Sequence, residues 1–426
     1  MDIISNEFLS LAETANQIAQ PRQRVERTSS RALASLEFAL HWQSEQARHT
    51  DLYLASPVNL WRDFFPPEIE AAVLDKPVGH TERLHCLPGC LVPAYAAGDC
   101  LDIADSRFNR QYRPRSLIEP RAGRFYPRGF IAGVKDIYSE DMTPFRVARV
   151  QGDTLTVDLN HPLAGRDLNL DIRILEAWQA GPETGGRASD IAELVAGRGP
   201  GMQARWRGEP TDFFAAAAFA RGDTGDDAEF YGRPRLVDHL DRLALKQVEK
   251  LYGRLLPQGG RVLDLMTSWK SHLSEAAPAE VAGLGMNAEE LAANPLLAER
   301  VVQDLNQQPK LPFAEAEFDA AVCTVSVEYL TRPLEVFQEV ARVLKPGAPF
   351  VLTFSNRYFP PKVIRVWEDC HPFERMGLVL EYFHRAGGFT DLATFSLVGL
   401  PRPEDDKYAD RMAYSDPVYA AWGKKA

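Results

Sequence analysis

The chain has 426 residues, 48 Lys and Arg against 59 Asp and Glu for a net charge of −11, with 45% hydrophobic and 25% charged residues. That length exceeds one ordinary domain, and the globular composition excludes a chain that is disordered, collagen-like or coiled-coil throughout. The acidic balance argues against a surface coated by nucleic acid, and the longest near-apolar stretch, Phe213 to Ala220, is too short to span a bilayer.

The beginning, MDIISNEFLS, lacks a basic segment followed by an apolar run, so a cytoplasmic protein without membrane contact is expected. Five dispersed cysteines, Cys86, Cys90, Cys100, Cys323 and Cys370, read as reduced thiols. His85 with Cys86, Cys90 and Cys100 lacks the paired spacing of a zinc site, so no metal is expected.

In chain order, residues 1–83 read as a helical extension. Phe8, Leu11, Ala12 and Ala15, then Leu33, Leu36, Phe38 and Leu40, recur at near-helical spacing around a break at Pro21, and Pro66-Pro67 suit the start of a further short helix. Residues 84–178 change to short alternating or β-branched segments such as FRVARVQGDTLTVDL and LNLDIRILE, which predict a β-rich domain. The stretch 179–230, with its breakers GPETGG, GRGPG and RGDTGDD, reads as a linker carrying one short helix at 189–196.

From residue 231 strands and helices alternate. Helices are expected at 236–256, 333–344 and 374–386, and strands at 261–265, 281–284, 301–302, 320–325, 350–354, 392–398 and 417–424. This pattern predicts a doubly wound, Rossmann-like α/β domain over 231–426 with a seven-stranded sheet and its ligand at the strands' C-terminal ends.

Within it, GGRVLDLMTSWKSHL (259–273) joins a buried strand to a loop, Val301-Val302-Gln303-Asp304 follows, and then come LPFAEAEFDAAVCTVSVEYL and EVARVLKPGAPF. In this order they resemble the class I S-adenosylmethionine-dependent methyltransferase family over about residues 230–426. The resemblance implies S-adenosylmethionine as cofactor, with Asp264 near its methionine part and Asp304 facing its adenine amino group. It draws Leu265, Met266, Thr267, Ser268, Leu305 and Thr324 into the same site. The family's glycine-rich loop is here Met266-Thr267-Ser268-Trp269-Lys270, without glycine, and Gly285 stands where the second strand's acid would accept from ribose hydroxyls. Asn287 is left to supply one weaker bond. Two readings stay open: a variant pocket in which the Thr267 and Ser268 hydroxyls replace backbone contacts, or a fold that has lost its cofactor. Asn356, Arg357, Tyr358 and His371 follow the fifth strand, where the family places groups that face the substrate. No catalytic residue is assigned, since methyl transfer needs mainly alignment and desolvation.

The string TVDLNHPLAGRDLNLDIRILE (156–176) is, by residue pattern alone, a hairpin in which His161 is structural. It also resembles FK506-binding-protein-type peptidyl-prolyl isomerases of the SlyD subgroup, over about 84–178 with an inserted chaperone-like part at 120–160. That implies a prolyl pocket from Leu91, Val92, Phe108 and Leu170, weak isomerase activity and a polypeptide client. Seven arginines between 107 and 128, interleaved with Phe108, Tyr112, Phe125 and Tyr126, have the composition of a nucleic-acid surface, although a solvated or internally paired face is the favoured reading. The expected partner is therefore a polypeptide client or a protein or small-molecule methyl acceptor. The alternative is a non-catalytic chaperone or adaptor.

Overall fold

The computed structural model describes residues 23–111, 117–182 and 185–426. Fifteen strands run in chain order among these residues: β1 (Ala32–Gln43), β2 (Arg48–Asn59), β3 (Thr81–Cys86), β4 (Cys100–Ala104), β5 (Phe125–Pro127), β6 (Pro144–Gln151), β7 (Thr154–Asp158), β8 (Leu168–Gln179), β9 (Arg261–Leu265), β10 (Glu280–Gly285), β11 (Leu297–Val302), β12 (Ala320–Thr324), β13 (Pro349–Phe354), β14 (Phe389–Val398) and β15 (Val418–Lys425). The helices are α1 (Pro67–Val73), α2 (Asp227–Tyr231), α3 (Arg242–Leu255), α4 (Ala288–Ala293), α5 (Pro333–Val343), α6 (Arg365–Asp369) and α7 (Pro372–Ala386).

Eleven strands form one sheet in the order β11-β10-β9-β12-β13-β15-β14-β2-β1-β8-β3. The first five are mutually parallel, and β15 runs antiparallel between β13 and β14. Strands buried on both faces carry mostly apolar runs, which is why Val262–Leu265 and Phe350–Phe354, each with a single polar residue, were legible as strands. On one face α3 packs Val248, Leu251 and Tyr252 against Val262, Val322 and Val351. On the other, α5 and α7 pack Phe337, Val340 and Leu378 against Leu263, Ala321 and Phe350. The order reverses between β9 and β12, the crossing point at which doubly wound sheets bind ligands. The C-terminal half is thus the expected seven-stranded α/β fold.

The N-terminal half departs from expectation. Residues 33–40 lie in β1, not in a helix, and the controlling period is two: Leu36, Phe38 and Leu40 are fully buried while the intervening side chains are half-exposed or meet the other face. The predicted helix around Phe8–Ala15 lies outside the described residues. The helix at Pro66-Pro67 is α1. Strand β2 pairs in parallel with β14, aligning Asp51 with Ser396, so the sheet runs without interruption across the expected module boundary. Residues between β3 and β8 leave the large sheet and build a second one, β4-β7-β6-β5, around a core of Phe108, Tyr126, Phe145 and Val157. Its strands begin at Cys100, not near 120.

The stretch expected to be a linker is packed. Ile191, Val195, Met202, Trp206, Phe213 and Ala218 are buried singly at irregular intervals, a docking pattern without periodicity that composition alone reads as loop. A helical turn occupies Glu193–Gly197 within it. The buried Arg124 joins the second sheet to α7, its Nε donating to Glu374 Oε1 at 2.9 Å.

Candidate functional site

The cleft opens where β9, β10, β11 and β12 end. Strand β9 delivers Asp264, which is buried and accepts from Thr267 Oγ1 at 2.6 Å. Burial raises its pKa to about 7, because nearby hydroxyls stabilise the carboxylate less than water does. The backbone then turns through Met266 at φ 55°, and across the cleft Val325 sits at φ 47°, a conformation that β-branched residues rarely adopt. Strain of this kind gathers where the surrounding structure holds a site in place.

The glycine-free loop has a structural counterpart in β10. Thr267 N–H donates to Leu284 O at 2.9 Å, which presses the loop onto that strand. A Cβ on Gly285 would lie 2.3 Å from Thr267 O, and one on Gly283 would lie 2.9 Å from Thr267 Cγ2. Glycines on β10 let the loop lie against that strand, and no acid can occupy position 285.

Asn287 does not replace that acid. Its Oδ1 caps α4 by accepting from Glu289 N and Glu290 N, and its Nδ2 donates to Tyr231 O and Gly232 O. A carboxylate missed by sequence reasoning faces the cleft instead: Glu290 accepts from Ser268 Oγ and from Arg235 N–H, each at 2.6 Å. The signal that could have found it was helix spacing, since Glu290 sits on the first turn of α4 beside its capping residue.

Of the expected cofactor residues, Asp264, Met266, Thr267, Ser268, Asn287, Asp304, Leu305 and Thr324 line this one cleft. Leu265 belongs to the core beneath it. Asp304 spends one oxygen on Asn306 N–H and has no ion pair among the described residues. Residues 232–241, of which 236–241 were expected as the start of a helix, instead run as a non-helical strap along the cleft. The strap is held by Lys270 on Asp238 at 2.7 Å and by Trp269 Nε1 on Val237 O.

The other expected residues go elsewhere. Arg357 pairs with Asp416, Tyr358 packs against the core with Arg375 over its ring, and Asn356 and His371 line a different cavity. Phe359 is the residue of that segment that reaches the cleft. Leu91, Val92 and Leu170 are buried in the core under β1 and β8, whereas Phe108 is buried in the second sheet's core, so the four do not form a prolyl pocket. Of the seven arginines, Arg107, Arg110, Arg121, Arg124 and Arg128 bond within the protein, and Arg113 and Arg115 lie outside the described residues. Cys90 Sγ lies 3.5 Å from Glu68, and Cys100 is on β4 in the other sheet. No helix among the described residues is long and apolar enough to cross a membrane.

Charge in the cleft is only partly balanced. Asp227 is neutralised by Arg221 and Lys362, and Asp238 by Lys270. Asp264, Glu290 and Asp304 have no cationic partner among the described residues, so the cleft offers three uncompensated carboxyl groups beside the rings of Tyr231, Trp269 and Phe359.

Residues 267–352, from the loop after β9 into β13, match the family model described as a methyltransferase domain. A stretch of 57 residues is 35% identical to the biotin biosynthesis bifunctional protein BioHC of Teredinibacter turnerae, covering 13% of this chain and 10% of that protein. The chain thus spans only a small part of that relative. Among solved structures, a possible histamine N-methyltransferase of Thermotoga maritima is similar at 14% identity over 44% of this chain and 90% of its own, with a TM-score of 0.33. A SAM-dependent methyltransferase of Aquifex aeolicus is similar at 20% identity over 43% and 93%, TM-score 0.30, and one of Archaeoglobus fulgidus at 18% over 43% and 95%, TM-score 0.32. The strand order and the family match together make the C-terminal half a methyltransferase-like α/β fold, with the acidic cleft at its topological crossing point.

Proposed function

We propose that the chain is an S-adenosylmethionine-dependent methyltransferase whose cofactor occupies the cleft above β9–β12. The carrying observation is the set of three carboxyl groups without cations, Asp264, Glu290 and Asp304, in a part-aromatic cleft. That set fits a ligand bearing an ammonium and a sulfonium, with π faces able to receive cationic and planar groups. When bound, S-adenosylmethionine supplies an electrophilic methyl group on sulfur. The protein's part is to orient and to exclude water: Asp264, fixed by Thr267, faces the cationic end; Asp304 accepts from the adenine amino group; Glu290, fixed by Ser268, serves the ribose in place of Asn287; and the 232–241 strap covers the bound molecule. The methyl acceptor is a protein or a small molecule.

The isomerase and chaperone reading is not carried into this proposal, because Phe108 is separated from Leu91, Val92 and Leu170. Calorimetric titration of S-adenosylmethionine into the full chain tests the cofactor assignment. Saturable binding that Asp264→Ala abolishes, with the fold retained by circular dichroism, supports it. Absence of binding by the unaltered chain, or equal binding by the variant, removes it.

A further inference from the structure

A second cavity, of ≈ 380 Å³, lies at the seam where β14 pairs with β2. Tyr53, Val398, Phe373 and Tyr419 give it an apolar, mostly aromatic lining, and the Met412–Ser415 loop closes one side. It is separate from the cleft. The two share no lining residue, and a buried ion cluster lies beside both: Asp241, next to the cleft-lining Leu240, is bound to Arg402, which also holds Asp416, the neighbour of the cavity-lining Ser415.

Several polar groups of the cavity can donate a hydrogen bond and have no acceptor among the described residues. His371 Nδ1 accepts from Phe373 N–H at 3.3 Å, so the neutral ring keeps its hydrogen on Nε2, and burial holds the ring below its ordinary pKa. Among the described residues the hydroxyls of Tyr53, Tyr414 and Tyr419 have no hydrogen-bond partner. Arg198, exposed at the rim, has no carboxylate partner among them either. The backbone beside it passes close to Phe373 at Gly199, at φ 134°, where an added Cβ would lie 2.2 Å from the Phe373 ring. The cavity's own carboxylate, Asp51, already accepts from Trp42 Nε1, Ser396 Oγ and Gln203 Nε2. What remains is an aromatic chamber with surplus donors and one uncompensated cation.

We propose that this cavity binds a small organic carboxylate with a planar apolar body, the body lying among Tyr53, Phe373 and Tyr419 and the carboxylate facing Arg198. The site does not depend on the methyl-transfer reading. A neutral isostere forgoes the charge-assisted bonds, which are roughly twice as strong as neutral ones.

The test is fluorine NMR titration of 4-fluorobenzoate into the full chain, with 4-fluorobenzamide as the neutral control. The expected result is saturable binding of the carboxylate that weakens about tenfold or more for the amide and for Arg198→Ala, an exposed substitution that leaves the core intact. Tyr53→Phe, which keeps the ring and removes the hydroxyl, also weakens it, whereas Ser268→Ala in the cleft leaves it unchanged. No saturation with 4-fluorobenzoate overturns the proposal. So does equal affinity for the amide, and so does binding that survives Arg198→Ala but is lost in Ser268→Ala.

Discussion

The two ends of the eleven-stranded sheet differ in where they leave charge unpaired. At the antiparallel end, charges meet partners: Arg83 with Asp171, Arg24 with Glu176, Lys76 with Glu82 and Arg166 with Glu45. At the parallel end the strand starts are paired too, Arg261 with Glu280, Glu299 and Glu317, whereas beyond the strands' C-terminal ends Asp264, Glu290 and Asp304 face a cleft with no cationic partner among the described residues, and Met266 and Val325 hold left-handed backbone there. Single buried groups go unsatisfied in the antiparallel strands as well, Glu37 Oε2 in β1 among them, but at the parallel end the unpaired carboxyl groups converge on one cleft. The proposed cofactor site therefore lies at the parallel end, and the antiparallel strands continue its sheet.

Breaking the joint between the two regions carries the largest expected effect. Arg124→Ala leaves Glu374 buried without its counter-charge, which costs about 3–5 kcal/mol. Arg83→Ala, at a pair whose arginine is half-exposed, costs under about 1 kcal/mol. Urea unfolding of both variants measures the difference. Equal midpoints would show that the second sheet is not clamped to α7.

The next test concerns the parallel end's buried acids. Glu328 follows β12, is fully buried and has no hydrogen-bond partner for either oxygen, so burial raises its pKa to about 8. The unfolded chain ionises this group near the usual carboxylate value, whereas the folded chain resists ionisation. Its contribution is therefore fully present below about pH 4.5 and is lost as pH rises through about 8. Glu328→Gln cannot ionise, and should flatten the decline in stability between pH 5 and pH 8 by about 3 kcal/mol. Parallel pH profiles for the two proteins would sink this account.

The same contrast governs what could be read from sequence. Parallel strands covered on both faces write mostly apolar words such as VLDL and PFVLTF, and an amphipathic helix such as Pro333–Val343 writes its own period, so each of β9–β15 was legible, although β11 begins four residues and β14 three residues before the expected start. In β1 the alternation of Leu36, Phe38 and Leu40 is masked by Ala32–Ser35, buried on both faces, and the mixture imitates a helical stripe. The 185–230 stretch anchors through isolated residues such as Trp206, whose Nε1 donates to Asp158, and no local pattern encodes such a contact. In the cleft, eight of the nine expected cofactor residues converge because they follow strand ends. Glu290 was missed because its importance depends on the loop pressing against β10, a tertiary fact.

That pressing is itself testable. Gly285→Ala places a methyl group 2.3 Å from Thr267 O, so the loop must lift from β10. The expected cost in stability is about 1–3 kcal/mol, typical of overpacking. Calorimetry with S-adenosylmethionine should show an affinity loss of more than about tenfold, because Thr267 and Ser268 move together with the carboxylates they hold, an effect of ~1.4 kcal/mol or more. Unchanged affinity would separate the loop from the site.

The smallest effect concerns Asp264 alone. Its pKa of about 7 leaves it mostly protonated at pH 6 and mostly ionised at pH 8 in the ligand-free protein. A cationic ligand binds the ionised form better, so binding releases a proton at low pH and affinity should rise about tenfold between pH 6 and pH 8. Asp264→Asn keeps the shape and the bond from Thr267 but cannot ionise, so its affinity should be lower at pH 8 and less dependent on pH. S-adenosylhomocysteine, which lacks the sulfonium charge, separates the contributions. If the rise with pH belongs to the sulfonium, it shrinks with this ligand in the unaltered protein, whereas a rise of equal size assigns the carboxylate to the ammonium end.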